Sequence, residues 1–249
     1  MPSPVYVLLG ATGGIGAPLA RRLAADGASL VLGARSADAL AALAGETGAR
    51  AFTLDATDAE AVDGLVGQAV ESFGRVDGIA NLVGSILLKP AHATAPEAFE
   101  ETLRLNLTTA FNVVRAGARA MQRQADPAGG SIVLMSSVAA RRGLANHEAI
   151  AAAKAGVEGL ARAAAATYAP KGVRVNAVAP GLVRTPLAGR LVATEAAVEA
   201  SAQMHPLGRI GEPADLTEAL AFLLDRAASG WVTGQTLGVD GGLSTLQTR

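Results

Sequence analysis

Val5-Tyr-Val-Leu-Leu-Gly10-Ala-Thr12-Gly13-Gly14-Ile15-Gly16 reads as a short apolar strand running into a glycine-rich turn inside which a helix begins. A strand apolar at every position suits a sheet covered on both faces. The glycines divide the work: one makes the tight turn, one lets the backbone approach a pyrophosphate, and one lets the helix pack hard on the strand. The N-terminus of that helix then offers free N–H groups to phosphate oxygens. Placed after a first strand and before a helix, Gly10, Thr12, Gly13, Gly14, Ile15 and Gly16 are assigned to dinucleotide binding.

Outward from this turn, short β-branched runs alternate with longer Ala- and Leu-rich segments of helical period, the pattern of repeated βαβ units. Strands are predicted at Val5–Leu9, Ser29–Gly33, Ala51–Leu54, Gly78–Leu82, Ser131–Met135, Val173–Val178 and Gln235–Val239. Helices are predicted at Ile15–Asp26, Ala37–Glu46, Ala59–Phe73, Pro96–Gln124, Glu148–Tyr168, Leu187–Met204 and Pro213–Leu224. The expected fold is α/β: one doubly wound, Rossmann-type domain over residues 1–249, with a seven-stranded, mostly parallel sheet and helices on both faces.

Composition narrows the function classes. With 50% hydrophobic and 17% charged residues, 249 residues can bury one large core. A net charge of -1 and scattered Lys and Arg give no basic field for nucleic acid. Every apolar run is broken before the ~20 residues that would span a bilayer. The N-terminal Met1-Pro-Ser-Pro lacks the basic and long apolar regions of a signal peptide, so a soluble, cytoplasmic protein is expected. No cysteine and three scattered histidines exclude a disulfide, a thiol nucleophile and an obvious metal site.

The spacing Gly10, Gly14, Gly16 resembles the TGxxxGxG turn of the short-chain dehydrogenase/reductase family, with Leu9 in place of the usual Thr. Asn81-Leu-Val-Gly84 is similar to that family's Asn-Asn-Ala-Gly turn, departing from it at Leu82 and Val83. Further matches follow in order over nearly the whole chain. The resemblance implies that Asn81 and Gly84 touch the cofactor, that Asp55 and Ala56 meet the adenine, and that Asn106 anchors a water and proton path. It also implies that Ser137 binds the substrate oxygen, with Ser136 turned the other way, and that Lys154 holds the nicotinamide ribose. Pro180, Gly181, Val183 and Thr185 match the turn over the nicotinamide. The activity implied is NAD(P)-dependent interconversion of a small or medium carbonyl and its alcohol, like that of 3-oxoacyl reductases. The assembly implied is a homotetramer pairing helices near residues 98–124 and 148–168.

At the end of the second strand, where an acidic residue usually receives the ribose 2′-hydroxyl, Ala34 is followed by Arg35. An arginine can bind a 2′-phosphate bidentately, so NADP(H) is expected in preference to NAD(H).

Ile150 stands four residues before Lys154, where the family carries its proton-donating tyrosine. Isoleucine has no proton to exchange, and loss of a general acid typically removes about 10²–10⁴ in rate. His147 would share the face of Ile150 and Lys154 if the helix already ran there; otherwise Asn146 caps the helix and His147 lies in its first turn. Tyr168 is too far along the same helix to serve. Arg141 and Arg142 are candidates for a substrate carboxylate or phosphate, or are simply solvated. Residues 182–206, with Leu187, Leu191, Val192, Val198 and Met204 at helical spacing, suit a mobile lid over the substrate. Two functions remain open: an oxidoreductase with an altered proton donor, or an NADP(H)-binding sensor, scaffold or regulatory subunit without turnover.

Overall fold

A computed structural model of the chain describes residues 3–124 and 129–247; Met1 and Pro2 of the N-terminus considered above lie outside them. Seven strands form one sheet: β1 Val5–Leu9, β2 Ser29–Ala34, β3 Arg50–Thr53, β4 Gly78–Asn81, β5 Gly130–Met135, β6 Val173–Pro180 and β7 Thr236–Val239. They lie in the order β3-β2-β1-β4-β5-β6-β7, and each pairing is parallel. Between them run α1 Gly16–Ala25, α2 Ala37–Thr47, α3 Ala59–Phe73, α4 Pro96–Leu103, α5 Thr109–Met121, α6 Glu148–Tyr168, α7 Glu195–Met204 and α8 Pro213–Leu224. Among the described residues no helix is long and apolar enough to cross a membrane.

Alternation along β1 explains its continuous apolar run. Val5, Val7 and Leu9 enter one core with Leu65 of α3, Val113 of α5 and Val157 of α6. Tyr6 and Leu8 enter the other with Leu19 of α1, Leu40 of α2 and Leu220 of α8. Successive side chains of a strand point to opposite faces, so a strand covered on both sides has no position for a polar residue.

Three predicted helical boundaries need correction. The single helix expected over Pro96–Gln124 is α4 and α5 joined by a π-helical turn, Arg104–Thr108. Within that turn the Asn106 amide donates to the Thr102 carbonyl at 2.9 Å, and the Thr109 hydroxyl to the Leu105 carbonyl at 3.0 Å. Side chains that take carbonyls four residues back compete with the main-chain ladder, which here widens. The helix expected over Leu187–Met204 is a 3₁₀ segment, Pro186–Leu191, followed by α7, because Thr185 and Thr194 each cap a separate start. Finally, Asn146 is not the cap of α6: it takes a left-handed φ of 64°, and His147 occupies the capping position without a side-chain cap bond.

The loops after β1 and β4 meet where the strand order reverses direction, the place where open α/β sheets bind ligands. Contact there is tight enough that a Cβ on Gly16 would lie 2.3 Å from the Gly10 carbonyl oxygen and 2.8 Å from Ala11 Cα. Neither atom can yield without moving the backbone. Gly16→Ala should therefore lower stability in urea denaturation by about 1–3 kcal/mol, the usual range for overpacking. Gly67→Ala, in α3 with open space around the new methyl, should be neutral or stabilising by about 0.5–1 kcal/mol.

Candidate active site

Two connected cavities run along the carboxyl ends of the strands. The outer one, about 490 Å³, is lined by the glycine turn from Gly10 to Gly16, including Thr12, Gly13, Gly14 and Ile15, and by Arg35, Asp55, Ala56 and Gly84. The inner one, about 150 Å³, is lined by Asn106, Ser137, Ile150, Lys154, Pro180, Gly181 and Val183. Ile15, Gly84, Ser85, Thr185 and Leu187 line both, so they form a single cleft.

The outer part fits a dinucleotide on its own geometry. Ile15 stands at the N-cap of α1 and supplies no side-chain cap, and no acidic residue occupies the first turn. The orphan N–H groups and the positive end of the helix are thus left facing the cleft. A Cβ on Gly10 would come within 2.9 Å of the Leu82 main chain, and one on Gly14 within 2.8 Å of Pro186. The cradle therefore exists only because these positions lack side chains. Asp55 accepts the Thr57 N–H at 2.9 Å and hydroxyl at 2.8 Å; these bonds, with Arg104 and Arg35 nearby, hold its pKa below the usual range. Arg35 is exposed at the rim.

Asn81, which the family resemblance assigns to the cofactor, lines neither cavity. It is buried, donates to Thr109 Oγ1 at 3.1 Å and accepts the Val83 N–H at 3.3 Å, so it shapes the turn that Gly84 completes. Gly84 in turn lets the inner groups converge, since a Cβ there would sit 2.8 Å from Asn106 Oδ1 and 3.4 Å from Lys154 Nζ.

Asn106 owes its place to the π-helical turn. It accepts the Ser85 N–H at 3.2 Å and donates to Ser85 Oγ at 3.0 Å, a paired contact that no local sequence pattern announces. Ser137 lies two residues beyond the end of β5, at the cap of the 3₁₀ turn Val138–Ala140, and its hydroxyl oxygen accepts the Ala139 N–H at 3.2 Å, which leaves its proton free to donate. Ser136 points into α6, bonding Glu158 at 2.9 Å. Lys154 is 7% exposed and donates to the Met135 carbonyl at 2.8 Å; burial lowers its pKa to about 8. Ile150, one turn earlier and 5% exposed, forms part of the same wall.

The other sequence candidates fall away from the cleft. His147 precedes the first turn of α6, its Nδ1 lies 2.7 Å from the Ala145 carbonyl, and it lines neither cavity; the shared face with Ile150 and Lys154 requires a helix that has not yet begun. Arg141 is engaged by Glu158 at 2.9 and 3.2 Å, and Arg142 by the Leu243 carbonyl. The buried Glu158 thus ties α6 both to the end of β5 and to the turn beyond it. Sequence reading misses it, because its partners lie 17 and 22 residues away.

Comparison with known proteins agrees with this geometry. A family model described as enoyl-(acyl carrier protein) reductase matches residues 10–244. The chain is 40% identical over 247 residues to cis-4-hydroxycyclohexanecarboxylate dehydrogenase of Sinomonas cyclohexanicum, covering 97% of each protein. A solved short-chain type dehydrogenase/reductase from Mycobacterium ulcerans is similar with a TM-score of 0.90 and 32% identity, over 97% of this chain and 90% of that one. An actinorhodin polyketide ketoreductase variant solved with NADPH gives a TM-score of 0.88 and 30% identity, over 98% of both chains. A parallel sheet with a glycine-turn cleft at its switch point, matched from end to end by such relatives, makes this chain a member of the short-chain dehydrogenase/reductase family.

Proposed function

We propose that the protein is an NADP(H)-dependent oxidoreductase interconverting a small or medium, uncharged carbonyl compound and its alcohol, with Lys154 supplying the proton. The observation that carries this reading is the inner cavity, where Asn106, Ser137 and Lys154 converge beside Ile150. Among the described residues that line the cavity none is an arginine, and Arg141 and Arg142 are engaged elsewhere, so no guanidinium is offered to a substrate carboxylate or phosphate. A bound nicotinamide dinucleotide would supply or accept the hydride.

The chain's own groups divide the remaining work. The N–H groups from Gly14 to Gly16 hold the pyrophosphate, while Gly13 gives its own to the Gly10 carbonyl at 3.0 Å and closes the turn; Asp55 and Ala56 flank the adenine, and Arg35 receives the 2′-phosphate. Gly84, Pro180, Gly181, Val183 and Thr185 bound the nicotinamide end, and residues 182–206 act as the lid. Ser137 donates its free hydroxyl proton to the substrate oxygen and so orients it. Asn106 and Ser85 hold the floor in register. At neutral pH Lys154 is still an ammonium, yet burial has made it a far better acid than a solvated lysine.

Arg35→Ala should weaken NADPH binding about 10- to 100-fold, the range for a lost charge-assisted hydrogen bond, and leave NADH binding nearly unchanged. Fluorescence titration checks this, and tighter NADH than NADPH binding by the wild type would refute the role of Arg35.

Because the acid must be protonated, kcat/KM for carbonyl reduction should fall as pH rises through about 8, while alcohol oxidation changes in the opposite sense. Ile150→Tyr should raise reduction at least ~10-fold by restoring a phenol beside the ammonium, and Ile150→Phe should not. A wild type that binds NADPH but is silent on a carbonyl panel, with turnover only in Ile150→Tyr, would favour the sensor or scaffold reading.

The homotetramer reading is supported by exposed Phe99 on α4 and Phe111 on α5, and by exposed Leu237 on the edge strand β7. Light scattering should give four chain masses for the wild type and a smaller species for Phe111→Glu.

A further inference from the structure

His205 closes α7 from a place where a histidine is unusual: its ring is 3% exposed, beneath the turn that follows β6. Nδ1 lies 2.7 Å from the Ser201 carbonyl oxygen, and Nε2 lies 3.2 Å from the Leu182 main-chain nitrogen. A carbonyl only accepts and an amide N–H only donates, so Nδ1 carries the hydrogen and Nε2 is the bare acceptor. Both bonds are made together only by the neutral ring.

The surroundings are built around that ring. A Cβ on Gly181 would lie 2.6 Å from Nε2, so glycine is required for the turn to settle on it. The ring, with Gly181 and Leu182, also lines a further cavity of about 260 Å³, whose charged lining groups are Asp240, Arg209 and Asp215. Arg209 and Asp215 form a bidentate pair at 2.6 and 2.8 Å and neutralise one another. Burial alone would raise the Asp240 pKa, but bonds from Ser244 and Gly242 and the nearby His205 leave it below its usual value, so it stays a carboxylate. It is the group toward which a charged imidazole would be drawn.

We infer that His205 is a positioning residue that latches the turn bearing Leu182 and Val183 onto the end of α7, and that a second proton on its ring releases the latch. Leu182 and Val183 line the inner cavity, so release loosens their wall on its α7 side, while the Gly211 N–H to Leu182 carbonyl bond at 2.8 Å keeps the other side tied. The sign follows from the bond: the latch is intact where the ring is neutral, and a proton on Nε2 removes the acceptor that holds the Leu182 N–H, so acid opens it. The substrate effect rests on the proposed reading of that cavity; the latch itself does not.

Exchange of the Leu182 amide with deuterium, corrected for intrinsic rate and measured at pH 5.5 and 7.5 on the nucleotide-free chain, tests the latch directly. Wild type should be about tenfold better protected at pH 7.5. His205→Gln, whose carboxamide oxygen can accept from Leu182, should be protected similarly at both pH values. His205→Asn, which can reach only Ser201, should be unprotected at both. In turnover, His205→Asn should raise the substrate KM several-fold, and His205→Gln should lack the acid-side rise in KM. Leu182 protection that does not vary with pH in the wild type would overturn the proposal. So would His205→Asn exchanging like the wild type. Wild type showing the expected exchange but no turnover would refute the oxidoreductase reading while leaving the latch supported.

Discussion

The structure depends on a contact made possible by missing atoms, the packing of Gly16 against the Gly10 carbonyl and of Gly10 against the Leu82 main chain. Backbone-to-backbone contact at this distance joins β1, the start of α1 and the turn after β4 at one point. Because that point is the switch in strand order, close backbone packing and the mouth of the cleft coincide. A single methyl would damage both, so stability and dinucleotide binding are inseparable there.

The inner end of the cleft depends on α6, a helix fastened by polar as well as apolar contacts. Glu158 takes the Ser136 hydroxyl and the Arg141 guanidinium, and Lys154 gives a hydrogen bond to the Met135 carbonyl. All of these partners sit at or just beyond the end of β5. A helix held only by Ala and Val could slide by a residue with little change in apolar contact; one held by a buried carboxylate and a buried ammonium cannot. The same anchoring fixes the height of Ser137 relative to Lys154.

Much of this is legible in the sequence because the signals are local or periodic. The apolar run Val5–Leu9 and the glycines after it yield the first βα unit, and the predicted strands fall within a residue or two of the observed ends. What escapes is set by contacts across the chain or by competition within a helix. The Pro96–Gln124 pattern has unbroken helical period, and only the Asn106 and Thr109 side-chain bonds reveal why the ladder widens there. Residue spacing would put His147 on a helical face, but Asn146 takes a left-handed conformation and the helix begins only at Glu148. His205 carries no motif at all; its meaning comes from Leu182, 23 residues earlier.

Ile150 alters more than the inventory of hydroxyls. A phenol in its place would bring a polar group, and with it water, to the wall one turn from Lys154; isoleucine brings neither. Desolvation is the cause of the lowered Lys154 pKa, and a dry apolar neighbour acts in that same direction. An isoleucine at the position of the family's proton donor, on the proposed reading, also shifts the adjacent ammonium toward the range where it can donate. On the proposed reading these are two consequences of one change, and they explain why Asn106, Ser137 and Lys154 still converge around a position that has no chemistry of its own.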